Sequence, residues 1–287
     1  MTMVSRPDDP LFDVPQGYQG PVTYGDYLKV PELLRLQTPL SDPPHHDEML
    51  FIIIHQAYEL WFKLVLHELE RAIFFIEQDN VLRANHFVRR VVRILRLLVE
   101  QIHILETMTP AEFLQFRDRL NPASGFQSVQ YREIEFLAGL RDERYLKVFQ
   151  HQPELEARLR ARMEGPSLRD SYYRMLRNLQ LDTGSKPPPP DPEAPGDLQE
   201  RQEVMAALIA VYEDPDSNLP LYLLSESLVE FDEYLALWRQ HHVLVVERSI
   251  GSKRGTGGSA GVSYLRSLVG KQCFPYLWEA RTYLQKR

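Results

Sequence analysis

The sequence predicts an all-α fold, a helical bundle built on two or three long antiparallel helices. Three observations predict it. Apolar residues recur at helical spacing over many turns, first in HDEMLFIIIHQAYELWFKLVLHELERAIFFIEQ from His46 and again in LYLLSESLVEFDEYLALWRQHHVLVVERSI from Leu221. No stretch alternates convincingly with period two, and the nearest strand candidate, Val243–Val246, is continuous with helical pattern on both sides. There are no internal repeats that would suggest a solenoid.

The elements follow in order. Residues 1–20 lack periodicity and are rich in Pro, Gly and Asp, so they read as a mobile arm. One domain of helices is expected from 21 to 287. It opens with two short helical pieces separated at Pro31, with Thr23 as N-cap, and then a loop at Pro39, Pro43 and Pro44. The long helix from His46 is followed by a second over roughly Asn85–Met108. Thr109-Pro110 reads as an N-cap with Pro at the first helical position, opening a third helix to about Leu120. NPASGFQS breaks the pattern, and helical segments resume near Ser128–Ala138, Pro153–Met163 and Ser167–Leu181. The proline-dense segment at 183–197 can be neither helix nor core strand and reads as an exposed loop. A helix over 197–213 follows, and then the long helix Leu221–Ile250. GSKRGTGGSAG is a glycine-rich loop, and two helices near Val262–Val269 and Pro275–Gln285 close the chain.

Composition excludes several classes. A formal net charge of −7 gives no global support for a nucleic-acid partner. The local run Arg89, Arg90, Arg93 and Arg96 reads as a solvated or ion-paired helix face. The single cysteine, Cys273, cannot form an internal disulfide or a CxxC site, which suits a reducing compartment. No secretory signal is visible, and no apolar run reaches membrane-span length, so a cytoplasmic location without a membrane partner is expected.

Motif tests narrow the chemistry. HELER at His67 is not HExxH, because position 71 is Arg. Glu100-x-x-His103 is one Glu-x-x-His where a di-iron bundle needs two. Gly255-x-Gly257-x-x-Ala260 lacks the strand and βαβ unit of a dinucleotide fingerprint. What remains is a set of histidines, an arginine and a glycine loop. Phe51, His55, Tyr58 and Phe62 fall on one helical stripe, and Leu235, Trp238, His242 and Val245 on another, with His241 turned about 100° away. A histidine on an apolar face is most often a core residue. Two of them on two long helices permit a haem site, one as axial ligand and one distal. Arg117, flanked by Phe113, Phe116 and Leu120, is either half of an ion pair or a fork for a carboxylate. The loop GTGGSAG offers backbone N–H groups and the hydroxyls of Thr256 and Ser259, either to an anion or simply to solvent.

Five blocks then resemble one family: TYGDYL at 23–28, HDEMLFIIIHQAYELWFK at 46–63, FRDRLNPASGFQS at 116–128, WRxxH at 238–242 and ERxIGxKxGTGGSxGVxYL at 247–265. In this order they resemble tryptophan 2,3-dioxygenase of bacterial type, over nearly the whole chain from Thr23 to about Tyr283. The resemblance implies long helices around a haem pocket, one haem b per subunit and a homotetramer. It implies dioxygenation of L-tryptophan by O₂ to N-formyl-L-kynurenine, at the head of the kynurenine pathway. His242 would be the proximal iron ligand, with Trp238 beside it on the cofactor side, and His55 the distal histidine facing the indole N–H. Phe51 would pack on the indole, Arg117 bind the carboxylate, Thr256 hold the charged end of the substrate and Ser124 sit near the haem edge. Tyr24, Tyr27 and Leu28 would reach into a neighbouring subunit's pocket. Position 113 is Phe where some bacterial relatives carry Tyr, so a hydroxyl contact to the carboxylate is not expected from it. The alternatives are a haem dioxygenase of different indole range, or a haem-binding sensor without turnover.

Overall fold

The structure is a computed structural model, and it describes residues 23–179, 198–253, 255–257 and 261–285. The arm at 1–20, the proline-rich segment at 183–197 and Ser259 lie outside the described residues. The chain divides into two compact units, 1–38 and 39–287.

In the first unit, α1 (Tyr24–Leu28) is capped as expected: the Thr23 hydroxyl accepts from the Asp26 N–H at 3.2 Å. The break before α2 (Val30–Leu33) falls at Lys29, in the left-handed region at φ 54°. Pro31 therefore does not separate the two helices. It sits in the first turn of α2, where its missing N–H costs nothing.

The second unit contains α3 (His46–Ile76), α4 (Val81–Leu105), α5 (Pro110–Phe116), α6 (Val129–Ala138), α7 (Arg144–Val148) and α8 (Pro153–Glu164). It continues with α9 (Leu168–Asn178), α10 (Leu198–Glu213), α11 (Leu219–Ile250), α12 (Val262–Val269) and α13 (Pro275–Ala280). No strand occurs among the described residues. The second long helix starts earlier than its apolar pattern implies, because Asn80 caps it, its side chain accepting from the Arg83 N–H at 3.2 Å. α5 has the expected start, a capping box between Thr109 and Glu112 with Pro110 at the first position. It ends sooner than expected, at Phe116, and Arg117–Leu120 is a 3₁₀ turn. Pro122 follows, and a residue before proline is driven out of the α region, so the last turn tightens. The five-residue α7 is too short to carry a periodic signal and was not foreseen.

Cross-helix contacts give the directions. Glu68 takes Arg90 at 2.9 Å, the Tyr58 hydroxyl donates to Leu98 O at 2.8 Å and Gln101 donates to Ile54 O at 3.0 Å. Numbers rise on one helix as they fall on the other, so α3 and α4 are antiparallel, as a four-residue connection requires. Between α4 and α11 the order is the reverse. Asn85 meets Ser227, His103 meets His241 and Glu106 meets Arg248. These two run parallel, and α5 to α10 intervene in the chain between them. α4 is thus flanked by α3 and α11, and Val65, Leu69, Val88, Val91, Leu224 and Phe231 fill the core they share, each 0% exposed.

α3 is, among the described residues, the helix long and apolar enough to cross a membrane. Here it packs against α4, α6 and α9. The C-terminal end is tied down by one buried carboxylate. Asp232 of α11 accepts from the Cys273 N–H at 2.8 Å, the Phe274 N–H at 3.0 Å and the Trp278 indole at 3.0 Å. Cys273 is fully buried, and burial pushes its thiol well above the ordinary range, so it behaves as a small apolar core residue.

Candidate functional site

The site is built from the two helical stripes. On α3 the Phe51 and His55 rings stack at 4.1 Å, and one turn on Tyr58 and Phe62 meet at 5.9 Å. On α11 Trp238 lies against His242 at 5.2 Å, nearly parallel at 22°. The stripes touch: Trp238 packs edge-on against Tyr58 at 6.0 Å and Phe62 at 6.2 Å. The two stripes are thus in contact, and Leu235 and Val245 of the α11 stripe are buried.

His55 Nδ1 lies 2.7 Å from the carbonyl oxygen of Phe51. A carbonyl only accepts, so Nδ1 carries the proton and Nε2 is left as an acceptor. Burial lowers the His55 pKa, against the raising effects of the Phe51 carbonyl and of Glu59. His242 is pushed down to about 4, first by burial and then by the charges of His55 and Arg132. Each imidazole is thus neutral at ordinary pH. Among the described residues nothing hydrogen-bonds the His242 ring, and the buried Trp238 indole N–H is also without a partner. A neutral, half-buried imidazole with no competing bond is the donor a haem iron takes. The residues present therefore fit a haem.

The α11 turn that carries Trp238 is held by residues that periodicity did not single out. Arg239 donates to Glu135 at 3.0 Å, to the Tyr131 hydroxyl at 3.1 Å and to Lys271 O at 2.9 Å. Arg132 donates to the same Glu135 at 2.6 Å. Tyr131 stacks on Trp238 at 4.9 Å and, through burial, has a hydroxyl pushed up to about 12. The only trace of this network in the sequence was the Arg within WRxxH.

Arg117 follows α5 directly. Phe113, four residues before it on the same helical face, stacks on Phe51 at 5.7 Å, and Phe116 meets Phe51 edge-on at 5.7 Å. Arg117 is therefore placed at the margin of the Phe51–His55 cluster. Its side chain is 16% exposed, and Asp118 stands 4.0 Å away with its own side chain 96% exposed, a weak ion pair. Further along, the Thr256 hydroxyl donates to Ala123 O at 2.5 Å, and a Cβ on Gly257 would stand 2.6 Å from the Ser124 Cβ. The glycine loop and the Ser124 turn are thus in close contact, which only glycine permits at 257. Tyr24, Tyr27 and Leu28, on α1, are 78%, 77% and 44% exposed. His241 points to different company, the ring of His103 at 5.0 Å.

Comparison with known proteins gives one answer. The profile of the family described as Tryptophan 2,3-dioxygenase matches residues 13–184 and 197–284, and the gap is the proline-rich segment. A protein of Nocardioides sp. named tryptophan 2,3-dioxygenase is 48% identical over 279 residues, covering 94% of this chain and 96% of its own. The protein of that name from Bradyrhizobium sp. (strain BTAi1) is 44% identical over 98% of this chain and 99% of its own. The one from Myxococcus xanthus is 42% identical over 92% and 90%. With a profile spanning both long histidine-bearing helices and relatives aligned nearly end to end, the chain belongs to the tryptophan 2,3-dioxygenase family.

Proposed function

We propose that this chain is a haem-dependent dioxygenase that inserts both atoms of O₂ across the indole C2–C3 bond of L-tryptophan and yields N-formyl-L-kynurenine, the entry to the kynurenine pathway. One observation carries the assignment of roles: the α3 stripe of His55 and the α11 stripe of His242 meet through Trp238, which packs edge-on against Tyr58 and Phe62.

Haem b, one per subunit, supplies the oxygen chemistry when bound. His242 offers its unengaged ring nitrogen as the proximal ligand, and the stacked Trp238 holds the plane of that ring. His55 presents Nε2 as an acceptor, the complement of an indole N–H, and so positions the substrate rather than taking a proton from it. Phe51, stacked on Phe113 and edge-on to Phe116, supplies an aromatic wall for the indole and excludes water. Arg117 grips the substrate carboxylate with its planar fork. Phe113 has no hydroxyl to share that task, so Thr256 takes the charged end as the glycine loop closes on Ser124 near the haem edge.

The chain acts as a homotetramer in this reading, with Tyr24, Tyr27 and Leu28 completing a neighbouring subunit's pocket. Their exposure supports it, together with that of Leu34 at 70% and Leu36 at 62%, because such an apolar surface is usually covered by a partner. A cytoplasmic location fits the lone, buried, unpaired thiol.

The test is an aerobic assay of reduced, haem-loaded protein with L-tryptophan, followed by product absorbance. Formylkynurenine should accumulate, and tryptamine, which lacks the carboxylate, should be a poor substrate. A haem spectrum without turnover would favour a sensor, and better turnover of another indole would shift the substrate assignment.

A further inference from the structure

Away from the pocket, three side chains with metal-ligating atoms converge where α4 ends beside α11. His103 and Glu106 are three residues apart, so they share a face of the last turn of α4, and His103 Nδ1 lies 3.1 Å from Glu106 Oε2. The ring of His241, from α11, stands edge-on to His103 at 5.0 Å between centroids and 89° between planes. One ligand atom from each of the three lies within 4.8 Å of the others. We propose that His103, Glu106 and His241 form a binding site for a divalent transition-metal ion, with zinc as the first candidate. This inference does not depend on the haem reading.

The donor set argues for the class of ion. Two imidazoles and one carboxylate suit zinc and its late first-row neighbours far better than magnesium or calcium, which want an all-oxygen shell. Zinc bonds of ~2.1 Å set tetrahedral donors about 3.4 Å apart. The His103–Glu106 separation of 3.1 Å already matches that spacing. The others lie within 4.8 Å, a gap of about 1 Å that rotation of partly exposed side chains, such as His103 at 46%, can close. Their backbones are fixed by the α4–α11 packing, so the ligands are presented by rigid elements.

Two neighbours bear on occupancy. Arg248 Nη1 lies 3.5 Å from Glu106 Oε2 and competes for the carboxylate, but its side chain is 63% exposed and can turn to solvent when a cation arrives. Glu106 and Arg248 also border an open cavity of about 280 Å³, lined in addition by Met108, Pro110, Val245 and Ser249. His241 is the residue beside His242, so an ion here would tie the pocket-bearing stretch of α11 to the end of α4.

The experiment uses the holoenzyme, stripped with a chelator and dialysed against Zn²⁺, with bound zinc measured per chain and affinity read by competition with a chromophoric chelator. The wild type should hold about one zinc per chain, and its melting temperature should rise with zinc. His103→Ala, an exposed change that leaves the core intact, and Glu106→Gln should each weaken binding by at least ~10-fold, the cost seen even for loss of an outer partner at a metal site. If the wild type retains no zinc, or both variants retain it with unchanged affinity, the site is not formed by these residues.

Discussion

Arg239 and Glu135 meet at 3.0 Å with both side chains 3% exposed, and this buried pair joins the Trp238 turn of α11 to α6. Glu135 also takes Arg132 at 2.6 Å, so one carboxylate balances two guanidinium groups. Breaking a buried pair from one side costs about 3–5 kcal/mol, because the remaining charge stays buried and unpaired. Glu135→Ala orphans two cations, whereas Arg239→Ala leaves Glu135 still paired with Arg132. Urea unfolding should therefore rank Glu135→Ala as the more damaging. Equal losses would mean that the two cations do not depend on that carboxylate.

His242→Ala should leave a folded helical protein that no longer holds haem by an axial bond. Far-ultraviolet circular dichroism should be unchanged, and the Soret band should be lost or shifted to that of a free or weakly held pigment. His241→Ala is the control and should retain the wild-type Soret band. The reverse pattern would exchange the roles of these adjacent residues.

Arg117→Ala should lower kcat/KM for L-tryptophan by about 10- to 150-fold, the equivalent of one charge-assisted hydrogen bond of roughly 1.5–3 kcal/mol. Turnover of tryptamine, already poor, should change little, because it has no carboxylate to lose. An equal fall for both substrates would point to damage of the Phe113–Phe116 wall instead.

Gly257→Ala puts a methyl group where the Ser124 Cβ stands 2.6 Å away, and neither atom is on the flexible end of a side chain. The loop must lift, and the Thr256 contact to Ala123 goes with it. Steady-state kinetics should show a raised KM for tryptophan. Adding Ser124→Gly, which removes the opposing Cβ, should recover part of it, and no recovery would place the fault in the loop's own backbone.

Glu48 gives the pH dependence of stability. Burial would raise its carboxyl pKa, but the Leu40 N–H at 2.6 Å, the Ser41 hydroxyl and the Ser41 N–H at 3.0 Å outweigh burial and hold it below the usual value. The unfolded chain then binds the proton more readily than the folded one. The stabilisation is present above about pH 4.5 and is lost as pH falls through the lower folded pKa. Glu48→Gln should be less stable than wild type at pH 7, and the gap should narrow in acid. A gap that is constant with pH would mean the charge contributes nothing.

Much of this was legible in the sequence. Period 3.6 located the long helices, and it placed His55 with Phe51 and His242 with Trp238 on their stripes. Capping chemistry located the start of α5 at Thr109. What failed to show had physical reasons. The end of α5 depends on Pro122 several residues later, and the parallel course of α4 and α11 depends on contacts between distant segments. The Arg132–Glu135–Arg239 network consists of charged residues, which periodicity assigns to the surface by default. Here they are buried because each satisfies another.

The opposed directions of α3 and α11 have a consequence for assembly. Residues 46–105 form a helical hairpin from contacts close in sequence, available early as the chain emerges from the ribosome. The helix that carries His242 begins only at 219 and must dock alongside a partner left far behind in the chain. The wall bearing His55 is thus complete in the growing chain before the helix that bears His242 has been made.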